Sequence, residues 1–229
     1  MGLKYKITAS LCALVWCTSA SVAQSQRPSK RRPFSLPPPY TDMTGKFDGT
    51  TYTNKFFGFT LTLPQGWQPQ DASVQQQFME KVRQKAQLEN TTNQVPPQTS
   101  MMRTTSLFLI VKPIGGEIDP IIFAMAENIA MIANMHSPQQ YLERMRLASL
   151  RPNSPLLYEE SPTKQTIGGV EFGMIEAILR NPTSAALITA RLRYYATLRK
   201  NHALLFLLIY DSHEQLQACL DVVNSLKFQ

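Results

Sequence analysis

The residues able to do chemistry are few and scattered. The chain has three histidines, His136, His202 and His213, with no HxH, HExxH or CxxC spacing. Metal coordination needs His, Cys and carboxylate ligands close together. His202 is expected in a hairpin turn and His213 in the first turn of a helix, and both read as surface histidines rather than a metal pair. Nucleophilic catalysis needs a Ser or Cys on a defined elbow beside a base. No GxSxG occurs, and Cys219 falls on an apolar helix stripe, where a free thiol packs as a small hydrophobe. The adjacent acids Glu159 and Glu160 point in different directions in any regular backbone, so they read as solvated charges, not an acid/base pair. Gly115-Gly116 and Gly168-Gly169 lack the further glycines and lysine of phosphate loops and read as turns. No catalytic residue, metal ligand or cofactor is therefore expected. A hydrolase with an unrecognised site is the catalytic alternative.

Three features could bind rather than react. Trp67, with Tyr52 and Asn54, lies just past a strand end, where an aromatic can line a ligand groove or plug the sheet end. Plugging is the expected role. Arg191, Arg193 and Tyr195 share one face of a strand and could meet an anionic partner. The expected alternative is that the arginine stems cover apolar surface or pair with acids. Met125, Met131 and Met135, with Met101 and Met102, suit an adaptable binding surface or a core, with the core expected.

The elements that must position these residues follow from periodicity. Phe57, Phe59, Leu61 and Leu63 alternate with small or polar residues, which predicts a strand ended by Pro64-Gln65-Gly66. Asp71 or Ser73 caps a predicted helix running to about residue 89, with Val74, Phe78 and Val82 on one face. Residues 90–104 are polar and read as a mobile loop. Leu107–Val111 and Ile121–Ala126 read as strands, and 127–136 is ambiguous. Ser137-Pro138 starts a helix, since Ser caps and Pro is tolerated in the first turn. Gln165–Ile167, Gly168-Gly169 and Val170–Phe172 read as a hairpin. Residues 188–196 alternate apolar with basic or aromatic, and 203–210 are apolar on both faces, as a doubly covered central strand should be. Ser212 caps the last helix, with Leu216, Cys219, Leu220, Val223 and Leu226 as its stripe. Some seven strands and three helices result, with tight turns between strands. The expected fold is α+β, a three-layer α/β/α sandwich with a largely antiparallel twisted sheet.

Length and charge bound the rest. At 229 residues the chain can bury one core but not two comfortable domains. Residues 1–23 carry Lys4 and Lys6, an apolar run to Trp16, then small residues ending Ser21-Val22-Ala23, which reads as a signal peptide. The run is shorter than the ~20 residues a membrane span needs. Trp16 before Cys17 disfavours lipidation. With Cys12 and Cys17 removed, Cys219 has no disulfide partner. Residues 24–46 read as a disordered, Pro-rich basic linker, and 47–229 as a single domain. Most of the net charge of +7 lies in the first two segments, with about +1 left on 47–229, so no nucleic-acid partner is expected. Weak contact of Arg27, Lys30, Arg31 and Arg32 with anionic surfaces is the functional reading of the linker, and a soluble spacer the plain one.

Tyr52 through Trp67, with its Phe56-Phe57-Gly58 turn and Pro64-Gln65-Gly66-Trp67 ending, resembles the opening of PsbP-like domains. The strand pair around Tyr194–Tyr210 and the closing Ser225-Leu226-Lys227-Phe228 are also similar to that family. The resemblance touches both ends of the body, about a third of the chain. It implies an antiparallel sheet sandwiched by helices. It also implies a binding or assembly module, since relatives include extrinsic photosystem subunits, mycobacterial lipoproteins, a Ran-binding import factor and effector chaperones. Fold alone does not carry function. The expectation is an exported, periplasmic or secreted, non-enzymatic module engaging a protein partner in the envelope, without stable membrane insertion. The alternative is a small-ligand or lipid carrier with a groove between the sheet and the 70–89 helix.

Overall fold

The computed structural model describes residues 43–80, 104–150, 154–181 and 184–229. The expected signal peptide, most of the linker, and residues 90–103 of the expected 90–104 loop, with Met101 and Met102, lie outside them, as does the end of the 70–89 helix, whereas Thr104, given to that loop by the sequence reading, belongs to a strand. Residues 43–46, given to the linker by the sequence reading, are described together with the body, and Lys46 already belongs to a strand.

The strands run β1 Lys46–Asp48, β2 Thr51–Asn54, β3 Phe59–Thr62, β4 Gln68–Pro69, β5 Thr104–Val111, β6 Ile121–Asn128, β7 Leu156–Tyr158, β8 Thr163–Ile167, β9 Val170–Asn181, β10 Ser184–Arg199, β11 His202–Tyr210 and β12 Lys227–Phe228. The helices are α1 over residues 72–80, α2 Pro138–Ser149 and α3 His213–Asn224. All pairings are antiparallel, which fits the mostly antiparallel α+β expectation. The sequence reading of about seven strands in one sheet falls short, because the strands form two sheets. The larger has the order β4-β5-β6-β11-β10-β9-β7, with β8 also paired to β9. The smaller has the order β1-β2-β3-β12. Its strands are two to four residues long; the alternation of Phe57, Phe59, Leu61 and Leu63 marks β3, whereas the two residues of β12 are too few for a periodic signal.

The centre is β11, with all nine residues buried. Side chains alternate across a strand, so its two faces feed two cores. Ala203, Leu205, Leu207 and Ile209 join Phe78 and Met79 of α1 and Tyr141, Leu142 and Met145 of α2. Leu204, Phe206, Leu208 and Tyr210 join Tyr52, Phe59 and Leu61 of the small sheet and Cys219, Val222 and Val223 of α3. The second face is thus covered by a small sheet and one helix together, not by helices alone.

Local chemistry sets the joints. Asp71 caps α1 through its carboxylate on the Val74 N–H at 2.9 Å. Ser137 and Gln140 form a reciprocal capping box at α2. Gly168 and Gly169 both have positive φ, as a two-residue hairpin turn between β8 and β9 requires. Gly173 serves packing: a Cβ there would lie 2.9 Å from the Pro138 carbonyl carbon and 3.0 Å from Leu142 Cδ1, so its absence lets α2 sit directly on β9.

Candidate functional site

Tyr52, Asn54 and Trp67, read from the sequence as a possible groove lining, are all buried. They do structural work instead. Asn54 Oδ1 accepts from the Phe57 N–H at 2.8 Å, and its Nδ2 donates to the Met43 carbonyl at 2.9 Å and to Tyr52 Oη at 3.3 Å. Tyr52 Oη also accepts from the Gly45 N–H at 3.0 Å. This network fixes the turn after β2 and ties residues 43–45 to the sheet. Trp67 packs in the core with its indole Nε1 buried and without a hydrogen-bond partner among the described residues. It presents no surface to a ligand.

Arg191, Arg193 and Tyr195 line one face of β10, as expected. Arg193 pairs with Glu176, its cross-strand neighbour, through an Nε–Oε1 bond of 2.6 Å and a further contact from Nη2. Its Nη1 lies 3.4 Å from Tyr195 Oη, and Tyr210 donates to Glu176 at 3.3 Å. Burial opposes the Arg193 charge, but Tyr195 and Glu176 together hold the guanidinium protonated more firmly than usual. Burial pushes the Tyr210 phenol up to about 12, helped by the Glu176 charge, and burial raises Tyr195 as well. The cluster is therefore a closed set of neutral phenols around a matched ion pair, the packing-and-pairing alternative of the sequence reading. Arg191 alone of the three is exposed.

The remaining chemistry-bearing residues stay apart. His136 and His213 are exposed, whereas His202 is buried at the start of β11, against the expectation of a surface histidine. Its ring packs edge-on near Phe56 and Phe57, and Nδ1 sits 2.7 Å from the Lys200 carbonyl. A two-residue turn, Lys200-Asn201, puts it at the base of the hairpin instead of in the turn. Cys219 is a free, buried thiol, pushed up to about 12 by burial. Glu159 and Glu160 are exposed. Among the described residues no group of three or more His, Cys, Asp or Glu stands close enough to hold a metal ion.

A concave feature among the described residues was not singled out by sequence. An open groove of about 730 Å³ runs along the outer side of α2, between Met135 of the preceding loop and Ser161-Pro162 before β8. Gln139, Gln140, Glu143, Arg144, Leu147 and Ala148 form its floor and rim. Glu143 is held by Arg146 at 2.7 Å, which keeps its carboxyl below the usual range. Leu147 is 53% exposed in the groove, Leu150 just after it is 58% exposed, and Met131 in the loop before α2 is 80% exposed. The available signal was that Leu147 and Leu150 fall off the Tyr141, Leu142 and Met145 stripe. The place expected for a groove, between the sheet and the 70–89 helix, is filled in its described part by Phe78 and Met79, with Phe78 5.1 Å from Phe123 between ring centres. The methionines divide: Met125 is core, Met135 lines the groove, and Met131 faces solvent.

No protein-family model and no curated protein matches the chain. Solved structures that it resembles include a cyanobacterial PsbP (CyanoP) from Synechocystis sp. PCC 6803, with a TM-score of 0.44 and 9% identity over 86% of this chain and 100% of that one. A Bacteroides thetaiotaomicron protein has a TM-score of 0.41 and 11% identity over 80% of this chain, which spans 49% of that one. LpqN of Mycobacterium tuberculosis, described as involved in cell envelope biogenesis, has a TM-score of 0.41 and 8% identity over 75% of this chain and 83% of that one. The resemblance to PsbP-like domains is met by a PsbP among these neighbours. At these scores and identities no partner, ligand or activity passes from them to this chain. Among the described residues no helix is long and apolar enough to cross a membrane.

Proposed function

We propose that the chain is an exported, non-enzymatic binding module, built as a three-layer sandwich, whose groove along α2 receives a segment of a protein partner in the cell envelope. The groove carries the reading. It is open, lies along one face of α2, and is lined by Gln139, Gln140, Glu143, Arg144, Leu147 and Ala148 in three successive turns. Apolar side chains set beside polar ones suit a partner segment that is apolar on one side. The helix beneath is fixed by its capping box, by Gly173, and by the Tyr141 bond to the buried Glu127 carboxylate at 2.7 Å. A surface fixed in advance binds without the cost of ordering itself. Residues 1–23 supply the export reading.

The test is a photo-crosslinking side chain at Leu147 in the native host, with the same group at Thr62 as control. One discrete protein adduct from Leu147, absent from Thr62 and lost when Ala148→Arg fills the groove, is the expected result. Equal adducts from both positions, or none, would overturn the proposal. A second reading, a small-ligand or lipid carrier, is favoured by volume, since ligand sites run to roughly 300–1,000 Å³. A bound mass in native mass spectrometry, displaced by Ala148→Arg, would decide for it.

A further inference from the structure

The small sheet turns a second, unlike surface outward. Tyr52, Asn54, Phe59 and Leu61 point into the core, so the alternate residues face solvent. One row across the sheet reads Lys46, Thr53, Thr60, Lys227, in register on β1, β2, β3 and β12. The next reads Asp48, Thr51, Thr62, so the outward face carries hydroxyls with a lysine at each edge and Asp48 as the carboxylate of its three longer strands. Lys55 is exposed in the turn after β2. Lys200 lies over the Phe56 ring and donates to the Phe56 carbonyl, and Arg199 lies over Phe228 and reaches the Gln229 carbonyl. Five cations thus gather at one end of the molecule.

The opposite end has the other sign. The loop between β5 and β6 and the start of α3 lie there, because Ile121 pairs with both Val111 and Ile209. They carry Glu117, Asp119, Asp211 and Glu214, with Lys112, Arg180 and Arg191 as the cations at the same end. Met43, held by Asn54, leads into Lys46, so the segment bearing Arg27, Lys30, Arg31 and Arg32 joins the body at the basic end.

We propose that the Lys46–Thr53–Thr60–Lys227 face, with Lys55, Arg199 and Lys200 at its rim, docks the protein on an anionic phospholipid leaflet. Lysine ammonium groups and threonine hydroxyls are donors for phosphate oxygens, and the two-signed charge orients the molecule with its basic end toward the lipid. The outward rows carry lysine, threonine and aspartate side chains, and the half-buried Phe56 and Phe228 rings lie beneath Lys200 and Arg199, so the contact is peripheral. It is independent of the groove, which lies beyond the other face of the large sheet.

The experiment is co-sedimentation of the purified protein with phosphatidylcholine vesicles, with and without about 30% phosphatidylglycerol, enough to set a negative surface potential. Binding to the anionic vesicles alone is expected, falling as salt shortens the reach of charge. Lys46→Gln with Lys227→Gln should weaken it about thirtyfold, at roughly one basic contact's worth per lysine. Asp48→Lys should strengthen it, a gain that misfolding cannot mimic. Equal sedimentation with both vesicles would overturn the proposal. So would loss of binding on changing Arg27, Lys30, Arg31 and Arg32 to Gln while the face variants bind as before.

Discussion

At the residue scale, the side chains that look most like a binding site are internal fasteners. Asn54 is the sharpest case. It is fully buried and holds the Phe57 N–H, the Met43 carbonyl and the Tyr52 hydroxyl at once. An amide with both donors and an acceptor is the one short side chain that can do this. Asn54→Ala leaves buried backbone groups unmatched, each at about 1–3 kcal/mol. We expect a loss of about 2–4 kcal/mol by chemical denaturation on that basis, with no change in groove crosslinking at Leu147. The sequence reading expected Trp67, with Tyr52 and Asn54, to plug the sheet end, but it could not say what Asn54 holds, because ligands and turns are held by the same polar groups. Cys219 was more legible, since its place on the stripe of α3 already implied burial. With its thiol pushed up to about 12 by burial, the native protein should leave the Cys219 peptide unalkylated by iodoacetamide at pH 8, and denaturant should expose it. Modification of the native protein at the rate of a free thiol would refute its place in the core.

At the element scale, what was legible was what local chemistry dictates. The Gly168-Gly169 hairpin, the Ser137 and Ser212 caps and the doubly buried β11 follow from turn residues, side-chain acceptors and unbroken apolar runs. What was not legible depends on neighbours distant in sequence. β12 is two residues long and exists because β3 lies beside it, and β4 contains Pro69, tolerated at a sheet edge where no ladder bond is lost. Gly173 lies within β9, where a glycine packs no side chain, and the close crossing of α2 accounts for it. Gly173→Ala sets a methyl against the Pro138 backbone, which cannot yield as a flexible side chain can. Overpacking of this kind costs about 1–3 kcal/mol, and here it also tilts the floor of the groove. We expect a lowered denaturation midpoint together with weaker Leu147 crosslinking. Weakened stability with unaltered crosslinking would mean that the groove does not depend on the seat of α2.

At the scale of the whole molecule, the fold separates its surfaces by the two faces of one large sheet. The α2 side carries an apolar groove, and the small-sheet side a hydroxyl-and-lysine face. One central strand supports both, so stability measured globally reports on the platform of each. Its pH dependence follows from groups spread over the surface. Asp71 lies below the ordinary 3.8 through the Val74 backbone bond, and Glu143, Glu171 and Glu214 lie below 4.5 through hydrogen bonds from Arg146, from Lys164, and from the Glu214 backbone N–H and Ser212. Depressed carboxylates contribute stability that is complete above those ordinary values and is lost as pH falls through the lower folded ones. Asp211, raised by burial, works the other way, one group against four. All four are near the surface, so the acid loss is modest and salt blunts it. The alkaline side is set by buried groups instead. Cys219 rises from 9.0 and Tyr210 from 10.0, each to about 12, so the unfolded chain releases these protons first and stability falls as pH climbs from 9 toward 12. Urea midpoints should therefore be level from about pH 5 to pH 9. They should drop gently below that range in a salt-dependent way, and steeply above it with little effect of salt. Cys219→Ala should soften the alkaline limb alone. An alkaline limb that ignores this change would shift the burden to the Tyr195 and Tyr210 phenols around Glu176.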